Sequence, residues 1–179
     1  MIAGRGVTED NYLVFVTRNG TVKRTAQSAF KNIRSNGIRA LSLDEGDELI
    51  SVLQTTGEDK ILLATHDGMA ICFAETDARA MGRDAVGVRG IRLREGDYVV
   101  GAGIAAEGAA ILSITENGYG KRTDVSEFRV QSRGGKGIMA MRLTDKTGLM
   151  AAQLLVSEDE DIMLITDDGT IIRMPVSDI

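Results

Sequence analysis

Short runs of apolar and β-branched residues recur along the chain about every fifty residues, and each run ends at a polar turn. The first run, Tyr12–Thr17, ends at Asn19-Gly20, and residues 21–25 return along it. An Asn-Gly pair between such runs predicts a two-residue hairpin turn in which both turn positions have a positive φ. The equivalent turn glycines are Gly20, Gly68, Gly118 and Gly169, at steps of 48, 50 and 51 residues. This regularity predicts a repeat architecture.

Each copy of the pattern contains a second pair of candidate strands after the hairpin. In the first copy, residues 38–43 alternate between apolar and polar side chains, and residues 49–53 form another apolar run after an acidic turn. Alternation with a period of two is typical of a half-buried strand. Helical periodicity is weak everywhere except for one possible turn near residues 25–28.

Four strands in about fifty residues are typical of a propeller blade. The fold class predicted is therefore all-β, a propeller-like repeat of four-stranded blades in an incomplete ring of about three and a half repeats. The whole chain, 1–179, is predicted to form one partial domain. The predicted blades are approximately 12–59, 60–108 and 109–159, with a partial blade at 160–179 and the end of a preceding blade at 1–11.

Composition narrows the classes of protein that the chain can represent. Of 179 residues, 43% are hydrophobic, which is enough for a continuous core, and the one cysteine, Cys72, excludes an internal disulfide. A single cysteine favours a reducing compartment. No leader and no long apolar segment are evident, so we expect a cytoplasmic protein without a membrane partner.

Positive charge is segregated although the formal net charge is −5. The windows 17–43, 79–94 and 118–142 hold 17 of the 21 lysines and arginines and only 3 acidic residues. Because salt screens charges beyond about 8–10 Å, the local charge decides what a surface binds. The windows predict a basic band that binds phosphates, although charges of one sign can also gather by chance on a solvated face.

Catalytic chemistry finds no support in the residues. One histidine and one cysteine do not make a zinc site, no P-loop pattern occurs, and the acidic clusters lie in turns where they are expected to be solvated. We expect no catalytic residue, no metal site and no cofactor in this chain.

One glycine-rich segment carries more specific information. It reads Gln131-Ser132-Arg133-Gly134-Gly135-Lys136-Gly137. Three glycines within four positions let a backbone approach a phosphate chain, and Arg133 and Lys136 add charge on either side. Taken alone, the segment can equally be a flexible loop with two solvated cations.

The segment resembles the gyrase A box, Gln-[Arg/Lys]-Arg-Gly-Gly-[Arg/Lys]-Gly, of the family of DNA gyrase A C-terminal domains. Residues 19–25, 79–83, 87–93 and 117–123 are similar to segments of the later blades of that family, in the same order. Ser132 departs from the box because it replaces a cation. The family's functional box normally lies in the first blade, so the copy here is either a degenerate duplicate, which we favour, or a second strong contact.

This resemblance implies a β-pinwheel, a disc of blades that exchange strands with their neighbours and wrap DNA around a basic rim. It implies a non-sequence-specific DNA-wrapping module, through which a parent ATP-dependent type IIA topoisomerase introduces negative supercoils. The implied partners are double-stranded DNA, the rest of gyrase A, and gyrase B, with ATP and Mg²⁺ used elsewhere in that enzyme. Two alternatives stay open: the equivalent domain of topoisomerase IV, and a protein-interaction propeller that binds an acidic partner.

The candidate DNA contacts are selected lysines and arginines of the basic windows and of the last hairpin. They are Arg18, Lys23, Arg24, Lys31, Arg34, Arg39, Arg83, Arg89, Lys121, Arg122, Arg129, Arg133, Lys136 and Arg173. Such residues are expected to bind phosphates and release counterions without reading bases.

Overall fold

The computed structural model describes residues 11–31 and 36–179, which form strands joined by turns and short 3₁₀ helices. The strands are β1 (Tyr12–Thr17), β2 (Thr21–Ala26), β3 (Leu49–Thr55), β4 (Lys60–Thr65), β5 (Met69–Ala74), β6 (Val88–Arg89), β7 (Val99–Ile104), β8 (Ala110–Thr115), β9 (Gly120–Asp124), β10 (Ile138–Met139), β11 (Met150–Val156), β12 (Asp161–Ile165) and β13 (Ile171–Pro175). The 3₁₀ helices are Gln27–Phe30, Glu75–Asp77, Val125–Glu127 and Val176–Asp178. Each 3₁₀ helix follows directly on the second strand of a hairpin.

The four hairpin turns share one geometry, and it differs from the predicted one. In the first turn the N–H of Gly20 donates to the carbonyl of Thr17 at 3.0 Å, and Gly20 has a φ of 79°. Among the described residues only glycines have a positive φ, so Asn19 does not. The connection is therefore a three-residue loop that ends in a left-handed glycine, a common hairpin connection. The expectation of a positive φ at both Asn19 and Gly20 was wrong.

Two of the four sheets take a strand from the following repeat. The first sheet has the order β3-β1-β2-β6 and the second has the order β10-β5-β4-β7, although β6 and β10 belong to the next repeat in sequence. The third sheet has the order β11-β8-β9, and the last is the hairpin β12-β13. The all-β fold and the exchange of strands between blades are thus confirmed. Because strands are exchanged, the contiguous residue ranges of the repeats do not coincide with the sheets.

Strands β3, β7 and β11 lie side by side at the inner edges of the sheets. Gly101 of β7 allows a close approach, since a Cβ there would lie 2.4 Å from the carbonyl oxygen of Gln153 in β11. We call this inner layer the hub. The opposite edge of each of the first two sheets is formed by β6 or β10, which therefore lies on the outside.

The hydrophobic core lies between successive hairpins. Val14, Val16 and Val22 of the first hairpin pack with Leu63 and Phe73 of the second. The other face of the second hairpin packs in turn against the third hairpin in a separate cluster. Hence the second hairpin, which lies between two neighbours, is buried on both faces, and successive hairpins bury their apolar residues against each other.

The third strand of each repeat is shorter than predicted. Residues 38–43 form no strand. In the equivalent segments of the second and third repeats, only Val88–Arg89 and Ile138–Met139 are strands. These two pairs are strands because β2 and β5 provide backbone partners for them. No hairpin in the described part of the chain pairs with residues 38–43, so their alternating pattern did not produce a strand.

Candidate nucleic-acid interface

We call residues 36–43, 79–94 and 129–143 the rim segments. The second and third contain β6 and β10, the outer strands of the first two sheets, and the first lies beside the second. Each later rim segment crosses the second strand of the preceding hairpin: Ala80 bridges to Arg24, and Val130 bridges to Cys72. Together the rim segments hold 10 lysines and arginines and 1 acidic residue, Asp84. The charge segregation of the sequence therefore becomes a feature of one edge of the molecule.

Consecutive rim segments contact each other through backbone hydrogen bonds. The N–H of Ser42 donates to the carbonyl of Ala85 at 3.3 Å. One repeat later, the N–H of Arg92 donates to the carbonyl of Gly135 at 2.8 Å, and the N–H of Gly134 donates to Gly90 at 2.6 Å. The predicted basic windows thus meet in space as a continuous band, although they are separated by about fifty residues in sequence.

The box-like loop, residues 131–137, is an ordered part of this band. Its start is fixed where the N–H of Gln131 donates to the carbonyl of Cys72 at 2.9 Å. Its end lies against the second hairpin, since Gly137 has a φ of 74° and a Cβ there would lie 2.3 Å from the carbonyl oxygen of Ala70. Ser132 and Lys136 are exposed. The loop glycines therefore let the loop pack closely on protein backbone.

Arg133 of the box-like loop is occupied by contacts within the protein. Its Nε donates to the carbonyl of Asp77 at 2.9 Å, and its Nη1 donates to the carbonyl of Arg89 at 3.0 Å. The half-buried guanidinium joins the second and third rim segments. It retains N–H groups for a phosphate, but its first role in this structure is to hold the band together.

Lys23 does not lie on the surface, and its placement among accessible phosphate contacts was wrong. Only 1% of the residue is exposed, because the second rim segment covers it. Its Nζ donates to the carbonyls of Ala40 and Arg83 and lies 5.6 Å from the centre of the Phe15 ring. Burial lowers the pKa of the Lys23 ammonium from its usual 10.5, and the nearby Asp84 carboxylate opposes this shift.

Arg24 is likewise a structural residue. It is 9% exposed, its guanidinium carbon lies 4.4 Å from the centre of the Tyr12 ring, and its Nη1 lies 3.7 Å from Oε2 of Glu75. The buried Glu75 carboxylate also accepts hydrogen bonds from the Thr55 hydroxyl and from the N–H groups of Gly57 and Asp59. Hence Arg24 links two repeats and offers little to a phosphate, contrary to the prediction.

Three further candidates are partly engaged. Arg18 stacks on Tyr98, with its guanidinium carbon 3.5 Å from the ring centre. The Nη1 of Arg122 donates to the carbonyl of Val176 at 3.0 Å, and Arg173 forms an exposed ion pair with Asp161. Each of these three cations thus makes a contact within the protein.

The remaining candidates have differing accessibility. Arg83 is half-buried, and Arg34 lies outside the described residues. The exposed candidates are Lys31, Arg39, Arg89, Lys121, Arg129 and Lys136. Most of the accessible cations thus lie on the rim segments rather than on the hairpins.

Sequence reasoning did not select Arg92 and Arg94, which are exposed on the second rim segment. They alternate with Ile91, which is buried, and Leu93, which is half-buried. This alternation was visible in the sequence as a strand with one charged face. The sequence prediction included Arg83 and Arg89 of this segment together with the cations that follow the hairpin turns, and it passed over these two arginines.

Two kinds of feature are absent from the described part of the chain. No group of three or more histidine, cysteine, aspartate or glutamate side chains in residues 11–31 and 36–179 is placed to hold a metal ion. Over the same residues, no helix is long and apolar enough to span a membrane.

Strand-exchanged blades around a common hub, with basic segments along the outer edge, define the class of the fold as a β-pinwheel. Among solved structures, the chain is similar to the C-terminal domain of DNA topoisomerase IV, with a TM-score of 0.91 and 29% identity over 99% of this chain and 56% of that one. It is also similar to the DNA gyrase A C-terminal domain, with a TM-score of 0.85 and 28% identity over 97% of this chain and 58% of that one.

The family described as DNA gyrase C-terminal domain, beta-propeller, matches residues 11–56, 59–106, 110–152 and 160–179. The DNA gyrase A protein of Staphylococcus aureus is 47% identical over 174 residues, 96% of this chain. The matched region is 20% of the relative's own length, so the chain spans about a fifth of these curated relatives. The chain belongs to the DNA gyrase C-terminal domain family.

Proposed function

We propose that this chain binds duplex DNA without sequence preference and bends it around the rim segments, as the wrapping module of a DNA gyrase A protein. The parent enzyme would use the wrapped segment, together with ATP and Mg²⁺ bound elsewhere and with gyrase B, to introduce negative supercoils. The reaction itself requires residues outside this chain. We expect the enzyme to work in the bacterial cytoplasm, on the chromosome.

One observation carries this proposal: consecutive rim segments touch and carry almost only positive charge. The hydrogen bonds Ser42 N–H to Ala85 and Arg92 N–H to Gly135 join three stretches with 10 cations and 1 acidic residue. Lysines and arginines that neutralise phosphates release condensed counterions, which supplies affinity without base recognition. A continuous band can distribute such contacts along a bent duplex and offset the several kcal/mol that bending costs.

The equivalent domain of topoisomerase IV is the second candidate, and the similarity of fold supports it. The TM-score of 0.91 for that domain is higher than the 0.85 for the gyrase A domain. The identity of 47% to DNA gyrase A, over nearly the whole chain, supports the gyrase assignment. The comparisons do not favour topoisomerase IV over gyrase, and we retain gyrase as the proposal.

Gel mobility shifts with duplexes of increasing length, repeated at several salt concentrations, test the proposal. Affinity should rise with duplex length and fall steeply with salt, because each neutralised phosphate adds about 0.9 to the slope of log affinity against log salt. Duplexes of the same length and different base sequence should bind with similar affinity. An affinity independent of length and salt would contradict the proposal.

A topological assay distinguishes wrapping from simple binding. A nicked circle is ligated in the presence of the chain, and the linking number is then measured after the protein is removed. Wrapping predicts a shift that grows with protein concentration, whereas a protein that binds without bending the duplex leaves the distribution unchanged.

A further inference from the structure

A cleft of about 410 Å³ lies at the seam between the second and third repeats. One wall is the end of the second rim segment, with Arg92 and Arg94, and the other is the end of the box-like loop, with Lys136 and Gly137. The two walls are joined by a backbone hydrogen bond, in which the N–H of Arg92 donates to the carbonyl of Gly135 at 2.8 Å. The cleft is therefore formed only where two repeats meet.

Its polar lining is strongly unbalanced towards positive charge. Arg92, Arg94 and Lys136 are all exposed, and the one carboxylate in the lining belongs to Asp97. That carboxylate is already engaged, since its Oδ1 accepts hydrogen bonds from the N–H groups of Asp67 (3.0 Å) and Tyr98 (2.8 Å). The lining therefore holds three cations and one carboxylate, and it keeps an excess of two positive charges.

The apolar part of the lining suggests what the anion is attached to. Met69 and Leu93, both half-buried, border the cleft beside the cations, and the buried Ile91 lies behind them. An inorganic ion uses only the charged groups, whereas a nucleic-acid backbone presents a sugar next to every phosphate. Arginine is suited to phosphate because its planar guanidinium donates two parallel hydrogen bonds.

We propose that this seam cleft is a phosphodiester subsite for duplex DNA, in which Arg92, Arg94 and Lys136 bind the phosphate and the apolar border packs against the deoxyribose. The subsite builds on the DNA-binding function proposed above and adds that the preferred contacts lie at the junction of repeats, on cations other than those that directly follow the hairpin turns. The box-like loop contributes one cation and one wall, and the preceding repeat contributes the two arginines.

The test compares two double variants that lose the same charge. Arg92→Gln with Arg94→Gln removes the two cleft arginines and keeps Lys136, whereas Lys60→Gln with Lys146→Gln removes two exposed cations outside the rim segments. Duplex affinity is measured over a range of salt for both variants and for the unaltered chain. The backbone hydrogen bond of Arg92 remains in the first variant, and thermal unfolding confirms that each variant is folded.

The cleft variant should lose at least about tenfold in affinity. The slope of log affinity against log salt should fall by about 2. The control variant should change affinity about twofold, because its charges act only through a screened field. Equal effects of the two variants, with normal binding by the unaltered chain, would overturn the subsite and leave the DNA-binding function intact. Failure of the unaltered chain to bind duplex would overturn both.

The reactivity of Lys136 gives a second, local measurement. Acetylation by an amine reagent, followed by mass spectrometry, should show Lys136 protected by a short duplex while Lys60 stays reactive. Millimolar pyrophosphate serves as the free anion, and it should protect Lys136 little. Equal protection by pyrophosphate would show a general anion site and would overturn the assignment to the DNA backbone.

Discussion

The first and third hairpins carry the same local sequence and use it differently. Each continues from its turn glycine to a Lys-Arg-Thr sequence, with Lys23 in the first and Lys121 in the third. Lys23 is 1% exposed beneath the second rim segment, whereas Lys121 is exposed, and β9 pairs only with β8 among the described strands. The role of this lysine is therefore decided by whether another repeat covers it.

The second hairpin supports the same conclusion. Ile71 occupies the position of Lys23, is fully buried, and lies under the box-like loop, close to Gly135. An apolar residue and a lysine that donates to two carbonyls are thus two solutions for one buried position. A cation after the turn is not by itself a sign of DNA contact.

Reversing the charge at the two lysines should give the largest difference. Lys23→Glu places a buried carboxylate against two carbonyl oxygens, and we expect the free energy of unfolding to fall by about 3 kcal/mol or more. Lys121→Glu changes an exposed side chain, and we expect a change within about 0.5 kcal/mol. Urea unfolding followed by circular dichroism measures both, and equal midpoints for the two variants would contradict the comparison.

The neighbouring arginines should show a smaller difference. Arg24→Gln removes the cation beside the buried Glu75 carboxylate and should cost about 2 kcal/mol, although three other donors still bind that carboxylate. Arg122→Gln removes one hydrogen bond to the carbonyl of Val176 and should cost about 1 kcal/mol. The same unfolding measurement applies, and a larger loss at Arg122 would reverse our assignment of roles.

For DNA binding we expect the opposite order of effects: a substitution at the exposed Lys121 should matter more than one at the buried Lys23. If the proposed function is right, Lys121→Gln lowers the salt slope of duplex affinity by up to about 0.9, because one accessible cation is lost. Lys23→Met leaves that slope unchanged under conditions where the variant is folded. A reduced slope for Lys23→Met alone would show that the buried lysine reaches the duplex after all.

The smallest expected effect is a dependence of stability on pH. Burial lowers the pKa of Lys23 in the folded chain below its usual 10.5, so between the two values the unfolded chain binds more protons. The free energy of unfolding should therefore rise with pH in that window. Lys23→Met should remove this rise, and Lys121→Met, the matched control, should keep it. Identical pH profiles for the two methionine variants would contradict the lowered pKa of Lys23.

Much of the fold could be predicted from the sequence because strand and turn signals are local. The hairpins around Gly20, Gly68, Gly118 and Gly169 follow from runs of apolar residues that end at a glycine, and the structure contains all four. The failure at residues 38–43 has a clear cause: a strand needs a backbone partner, and alternation alone does not supply one. The geometry of the turn was also misjudged, since a Gly at the end of a three-residue loop gives the same sequence signal.

For the candidate site, the sequence by itself determined which segments are basic and that they recur with the repeat. Tertiary structure alone decided which cations are accessible. It buried Lys23 and Arg24, and it engaged the guanidinium of Arg133 in a hydrogen bond within the protein. It also brought Arg92 and Arg94 together with Lys136. The physical reason is that charge is a property of a residue, whereas exposure depends on contacts with residues about fifty or sixty positions away. Those contacts exist only once successive repeats have packed against each other.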